Sequence, residues 1–173
     1  MGLPNIVVNF KTTGITAITR SEKGIVALIV RDSGGIGSYE MGDVTDMPSG
    51  ISAENIAYIK RAFIGYQTPP KKVLVDVIGS DTAIADALKW AETQEFDYIC
   101  APPSTADTDA AEVASWVKSQ RANEDRKFKA VLPNTAGDNE GIINFTTTGI
   151  KTSEGTFTPA QFASRIAGLI AGT

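Results

Sequence analysis

Covalent or acid–base chemistry needs a nucleophile, a proton carrier or a set of metal ligands, and this chain offers few candidates. Cys100 is the single cysteine, and histidine is absent from all 173 residues. Histidine is the commonest general base and metal ligand near neutral pH. Its absence excludes Ser-His-Asp and Cys-His catalysis and the usual zinc sites. Carboxylates, Lys, Tyr or a bound metal would have to serve instead. Asp76 stands in an apolar run, but Val77 and Ile78 follow it. It is therefore not at the carboxyl edge where open α/β sheets bind ligands, and a structural or solvent-facing role is expected. Cys100 precedes 101–103 (APP) at just such an edge. Without a base to activate it, it reads as a small buried thiol. Gly34, Gly35 and Gly37 follow an apolar run, as in a dinucleotide loop. However, Glu40 takes the third glycine's place, and Gly42 and Pro48 break the helix that must follow. Asp43 and Asp46 are too few for a dedicated cation site. Glu92, Glu95 and Asp97 gather at a helix end facing water, and Trp90 and Trp116 have the spacing of core residues. No catalytic, cofactor-binding or metal constellation emerges. The chain reads as a non-enzyme with no cofactor; a small α/β ligand-binding or enzymatic domain using Asp76, Cys100 or the 34–37 loop is the alternative.

The elements that would carry these residues alternate strand and helix. Residues 25–30 (IVALIV) have no polar face, so they belong inside a sheet covered on both sides. Residues 32–50, with five glycines, Pro48 and four acidic residues, read as a long loop. A helix follows with Ser52 as N-cap, Ile56, Ile59 and Phe63 as its buried stripe, and Gly65 just past its end. Strands are expected at 72–78, 96–100, 128–132 and 141–146. Helices are expected at about 81–94 and from Asp109, where Glu112 would complete a capping box. The last helix has the strongest local signature: Thr158 as N-cap, Pro159 at N1 and Gln161 at N3. Phe157 and Phe162 occupy its staple positions, and Phe162, Ile166, Leu169 and Ile170 form its apolar stripe. Strands alternating with helices imply βαβ crossovers and a mostly parallel sheet with flanking helices, an α/β fold.

Bulk properties narrow the partners. Net charge is −4, the pI is about 4.9, and 42% of residues are apolar. No Lys/Arg cluster exceeds two adjacent residues, so no nucleic-acid footprint is present. The longest apolar run falls far short of a membrane span, and no signal peptide is evident. One cysteine precludes an internal disulfide framework.

The first residues differ from the rest. Ile6, Val8 and Phe10 fall on one face of an extended stretch, with Asn5, Asn9 and Lys11 opposite. This divides the chain into an extended β arm, residues 1–22, and an α/β domain, residues 23–173.

The order of segments is distinctive: 2–11 (GLPNIVVNFK), 16–24 (TAITRSEKG), 25–32 (IVALIVRD), 52–60 (SAENIAYIK), 70–75 (PKKVLV) and 158–172 (TPAQFASRIAGLIAG). Over essentially the whole chain this closely resembles the contractile phage tail sheath proteins, in the compact form of phages and phage-tail-like particles of Gram-positive bacteria. The resemblance implies a structural role: subunits polymerise as a helical tube around an inner tail tube and contract when the baseplate is triggered. It implies a subtilisin-like core without catalytic residues. It also implies an N-terminal arm that exchanges strands with C-terminal segments of neighbouring copies, a role falling here on Asn5, Ile6, Val7, Val8, Asn9, Phe10 and Lys11. The implied partners are copies of the chain, the tail tube protein and the baseplate, with no nucleic acid and no membrane. The implied place is the virion tail or a tail-like particle, made in the bacterial host cytoplasm. Family members continue beyond the equivalent of Thr173, so this chain is expected to lack their C-terminal domain.

Overall fold

Strand β1 (Ile25–Asp32) sits inside the sheet, flanked by two parallel neighbours. Its unbroken apolar run is explained by burial on both faces. Val26, Leu28 and Val30 point into one core, and Ala27 and Ile29 into the other. In a strand, successive side chains alternate faces, so a helix layer on each side requires apolar residues at every position.

The computed structural model describes residues 24–66 and 68–173. The chain order is β1, β2 (Gly37–Met41), α1 (Ala53–Phe63), β3 (Lys72–Gly79), α2 (Ile84–Glu92), β4 (Tyr98–Cys100), α3 (Asp107–Asn123), β5 (Lys129–Pro133), β6 (Ile142–Phe145), the hairpin β7 (Ile150–Thr152) and β8 (Gly155–Phe157), and α4 (Pro159–Ala171). Six strands form one sheet in the order β2-β3-β1-β4-β5-β6. All pairs are parallel except β2 with β3. Helices α2 and α3 cover one face with Ile84, Leu88, Val113 and Val117. Helices α1 and α4 cover the other with Tyr58, Ile59, Ala163 and Ala167. The α/β class and the mostly parallel sheet are as the alternation implies. Among the described residues no helix is long and apolar enough to cross a membrane.

Several boundaries differ from the sequence reading. Residues 32–50 are not one loop, because Gly37–Met41 pairs antiparallel with β3 at the sheet's edge. Its pattern alternates Ser38 and Glu40 outward with Tyr39 and Met41 inward, and the flanking glycines hide that alternation. Helix α3 starts at Asp107, not Asp109, with no side-chain cap at Ala106. Asp109 is drawn instead to Arg31, 3.1 Å away. Helix α2 is shorter than 81–94, and the strand at 96–100 begins only at Tyr98.

The stripe of α4 is also displaced. Its buried residues are Pro159, Ala163, Ser164, Ala167 and Gly168, while Phe162, Ile166, Leu169 and Ile170 lie half-buried at the margins. The cause is close approach to α1. A Cβ on Gly168 would lie 1.9 Å from the Ala62 carbonyl oxygen, so only small residues fit the seam. Ser164 Oγ donates to the Tyr58 carbonyl across it at 2.7 Å. In α1 the centre is likewise taken by Tyr58, Ile59 and Ala62, with Ile56 and Phe63 at its edges. The α4 N-terminus forms as read, with the reciprocal Thr158–Gln161 capping box.

Candidate functional site

Open parallel sheets bind ligands at the carboxyl ends of their strands, where the strand order reverses. Here that point lies between β1 and β4, since β3 follows on one side of β1 and β4 on the other. The side chains there are Asp32, Asn55, Tyr58 and Cys100. Asp32 ends β1 and is buried. Its Oδ1 accepts from the backbone N–H of Ser33 at 2.8 Å and Gly34 at 3.4 Å. Its Oδ2 accepts from Ser52 N–H at 2.7 Å and Asn55 Nδ2 at 2.8 Å. The Ser52 N–H, above all, holds this carboxyl well below the usual carboxylate range against the opposing effect of burial. Asn55 Nδ2 also donates to the Arg31 carbonyl at 2.7 Å. Thus Asp32 clamps the start of the loop, the approach to α1 and the end of β1 in one knot.

Next to it, the Tyr58 hydroxyl donates to the Ala101 carbonyl at 2.8 Å in full burial. Burial pushes the Tyr58 hydroxyl well above its ordinary value, and burial likewise pushes the Cys100 thiol far up. At neutral pH Cys100 is a protonated thiol with no exposed surface, so it has neither the charge nor the access of a nucleophile. Arg31 Nη2 pairs with Asp109, and its Nη1 donates to the Thr82 carbonyl. The polar side chains at the switch point are therefore held by internal hydrogen bonds.

The remaining candidates are structural. Asp76 is buried in the middle of β3 and accepts from Ser38 Oγ at 2.7 Å. Burial raises its pKa, and the Ser38 hydrogen bond offsets part of that rise. Gly34 and Gly35 fold the loop onto itself. A Cβ on Gly34 would lie 2.4 Å from the Gly50 carbonyl, and Gly35 holds φ +62°. Asp43 and Asp46 form the capping box of a single 3-10 turn at Val44–Asp46. Among the described residues no group of three metal-ligating side chains occurs. Glu92 accepts from Trp116 Nε1 at 3.0 Å, holding α2 against α3. Asp97 is not a water-facing member of an acidic cluster. Its Oδ2 accepts from the N–H groups of Gly24 at 2.7 Å and Ile25 at 3.0 Å, fastening the start of β1. The residues expected to exchange strands, Asn5, Ile6, Val7, Val8, Asn9, Phe10 and Lys11, lie outside the described residues.

The polar residues that organise the carboxyl edge, Asp32 and Arg31, were not singled out by sequence. A signal was present: Asp followed by Ser-Gly-Gly is the pattern of a side chain turning back onto its own loop. Such a fold, with a mostly parallel sheet between two helix layers, defines the class as an α/β domain.

Residues 79–173 match the profile of the phage tail sheath protein central domain. The tail sheath protein of Clostridium phage phiCD119 is 36% identical over 177 residues, covering 99% of this chain and 49% of that protein. The phage-like element PBSX protein XkdK of Bacillus subtilis is 40% identical over 88 residues, covering 50% of this chain and 19% of that one. Sheath tail proteins of Desulfitobacterium hafniense and Listeria innocua share the fold, each with a TM-score of 0.72. Their identities are 20% and 17%, covering 88% and 95% of this chain and 60% of each of theirs. The chain belongs to the phage tail sheath protein family. It spans about half the length of its phage relative. The matching family model and the phage phiCD119 relative are those of structural tail sheath proteins, in agreement with the expectation that this chain is not an enzyme.

Proposed function

We propose that the chain is a structural subunit, or part of one, of a contractile tail sheath. Copies polymerise around the tail tube and contract on a signal from the baseplate, driving the tube through a cell envelope. The observation that carries this reading is the 36% identity to a tail sheath protein over 99% of the chain. The internal hydrogen bonds of Asp32, Asn55 and Tyr58 at the carboxyl end of β1 support it, because they give these side chains structural roles. In this reading residues 23–173 form the body and residues 1–22 the link to a neighbour. Asn5 to Lys11 would join an edge strand of another copy, satisfying backbone N–H and C=O groups along a noncovalent mesh. Such links persist while the bodies rotate into a second packing, so contraction runs on energy stored during assembly rather than on a nucleotide. The product resides in a virion tail or phage-tail-like particle after synthesis in the bacterial host cytoplasm.

Electron microscopy of the reading frame that carries this sequence, expressed alone, tests the proposal. Rings or tubes are expected. Protein that remains monomeric at high concentration would overturn it. A charge-neutral break in the alternating face, Val8→Pro, is expected to abolish tubes while leaving the melting temperature of the α/β body unchanged.

A further inference from the structure

Helix α4 is apolar on two sides. Ala163, Ala167 and Gly168 fill its seam with α1. From the margin of that seam Phe162, Ile166 and Leu169, spaced i, i+4 and i+7, run along the outer side of the helix, and Ile170 stands beside them. All four keep part of their surface open. A helix that is apolar all round is normally covered on every side. The α1 end extends the same surface. Ile64 shares a cavity wall with Phe162 and Arg165, and Arg165 Nη1 donates to the Gly65 carbonyl at 2.6 Å. On either side of Gly65, Ile64 is 54% and Tyr66 69% exposed. Large apolar side chains this open, beside a half-open apolar stripe, form a patch of the kind that marks a docking surface.

The chain itself supplies an occupant at the foot of the stripe. A Cβ on Gly24 would lie 2.8 Å from the Ala171 carbonyl oxygen, so residues 1–23 join the body at the C-terminal end of α4. Residues 11–23, when extended, span up to about 43 Å. The 13 residues of α4 rise only about 20 Å. The segment with Ile6, Val8 and Phe10 on one face therefore reaches every point of the stripe. Its alternation fits such a seat, with the apolar face toward α4 and Asn5, Asn9 and Lys11 toward water. A segment tied to its site docks at an effective concentration of about millimolar, which a separate copy matches only in concentrated protein.

We infer that in the unassembled subunit residues 5–11 lie along the outer side of α4, in the same chain, covering Phe162, Ile166 and Leu169. The inference rests on the sheath reading for its consequence: the arm must leave this stripe before it can join a neighbour, so docking within the chain holds free subunits back from assembly.

Paramagnetic broadening in the dilute, isotope-labelled 173-residue chain tests it. A nitroxide on Asn9→Cys should broaden the amides of Ile64, Phe162, Ile166 and Leu169 and spare those of α2 and α3. The wild type treated with the same reagent, its Cys100 being buried, is the blank. Isotope-labelled wild type mixed with nitroxide-bearing unlabelled protein should show no broadening. Leu169→Gln should lower the docking equilibrium about tenfold, and with it the broadening. Circular dichroism melts establish that this variant folds; should it not, Phe10→Ser in the arm carries the same expectation without touching the body. No broadening along α4, or broadening that these variants leave unchanged, overturns the inference. Equal broadening in the mixed sample overturns it too and makes a second copy the occupant. Docking found where the reading frame that carries this sequence forms no rings or tubes would support the inference and count against the sheath; tubes without docking would do the reverse.

Discussion

Asp32 and Asp76 are both buried carboxylates, yet their surroundings push them in opposite directions. Asp32 accepts backbone and amide donors that favour its charged form, so its folded pKa lies below the unfolded value of about 3.9. The unfolded chain then takes up the proton first on acidification. Stability from Asp32 is complete above about pH 4 and is lost as pH falls below that toward the folded value. Asp32→Asn should flatten this acid limb in urea titrations, and Asp32→Ala should cost about 2–3 kcal/mol at pH 7 by stranding Ser52 N–H and Asn55. Asp76 has a raised folded pKa, so its charge opposes folding. That penalty is present at neutral pH and is relieved as pH falls through the raised value toward about 3.9. Asp76→Asn should therefore equal or exceed the wild type in stability at pH 7, with the gain vanishing in acid. Cys100 gives a third, kinetic expectation. With its thiol buried and its pKa pushed up, it should react with a maleimide only at the rate of unfolding in native buffer.

Helix pairs here are held by what is small as much as by what is apolar. At Gly168, helix propensity alone favours alanine by about 0.5–1 kcal/mol. The added Cβ would meet the Ala62 carbonyl at 1.9 Å, however, and backbone cannot yield like a side-chain tip. Overpacking of this kind costs about 1–3 kcal/mol, so Gly168→Ala should be destabilising on thermal denaturation. Thr158→Ala, at the other end of the same helix, should lose about 1 kcal/mol with its capping box. The N-terminal signature was legible because capping is local, decided here by Thr158 and Gln161, three residues apart. The stripe was misread because helical periodicity ranks residues by hydrophobicity, whereas the seam with α1 selects by volume. The same limit explains β2. Its alternation spans only five residues, and its strand character comes from pairing with β3, far along the chain.

The described body begins and ends at one corner. The Gly24 carbonyl accepts from Lys71 N–H at 2.9 Å, a Cβ on Gly24 would lie 2.8 Å from the Ala171 carbonyl, and Thr68 Oγ1 donates to the Gly172 carbonyl at 2.6 Å. Asp97, just before β4, fastens the same corner. Asp97→Ala should remove both caps, at about 2 kcal/mol and about 4–8 °C in Tm for a chain of this size.

The fold class, the order of the central elements, the buried thiol and the family were all readable from residue types alone. Each depends on periodicity, on capping over one helical turn, or on segment order, and these are written along the chain. The clasp at the carboxyl end of β1 was not readable. Asp32 meets Ser52 and Asn55 across 20 and 23 residues, and Tyr58 meets Ala101 across 43. Whether a polar residue is a site or a clasp depends on which distant donors reach it, and only packing in three dimensions brings them there.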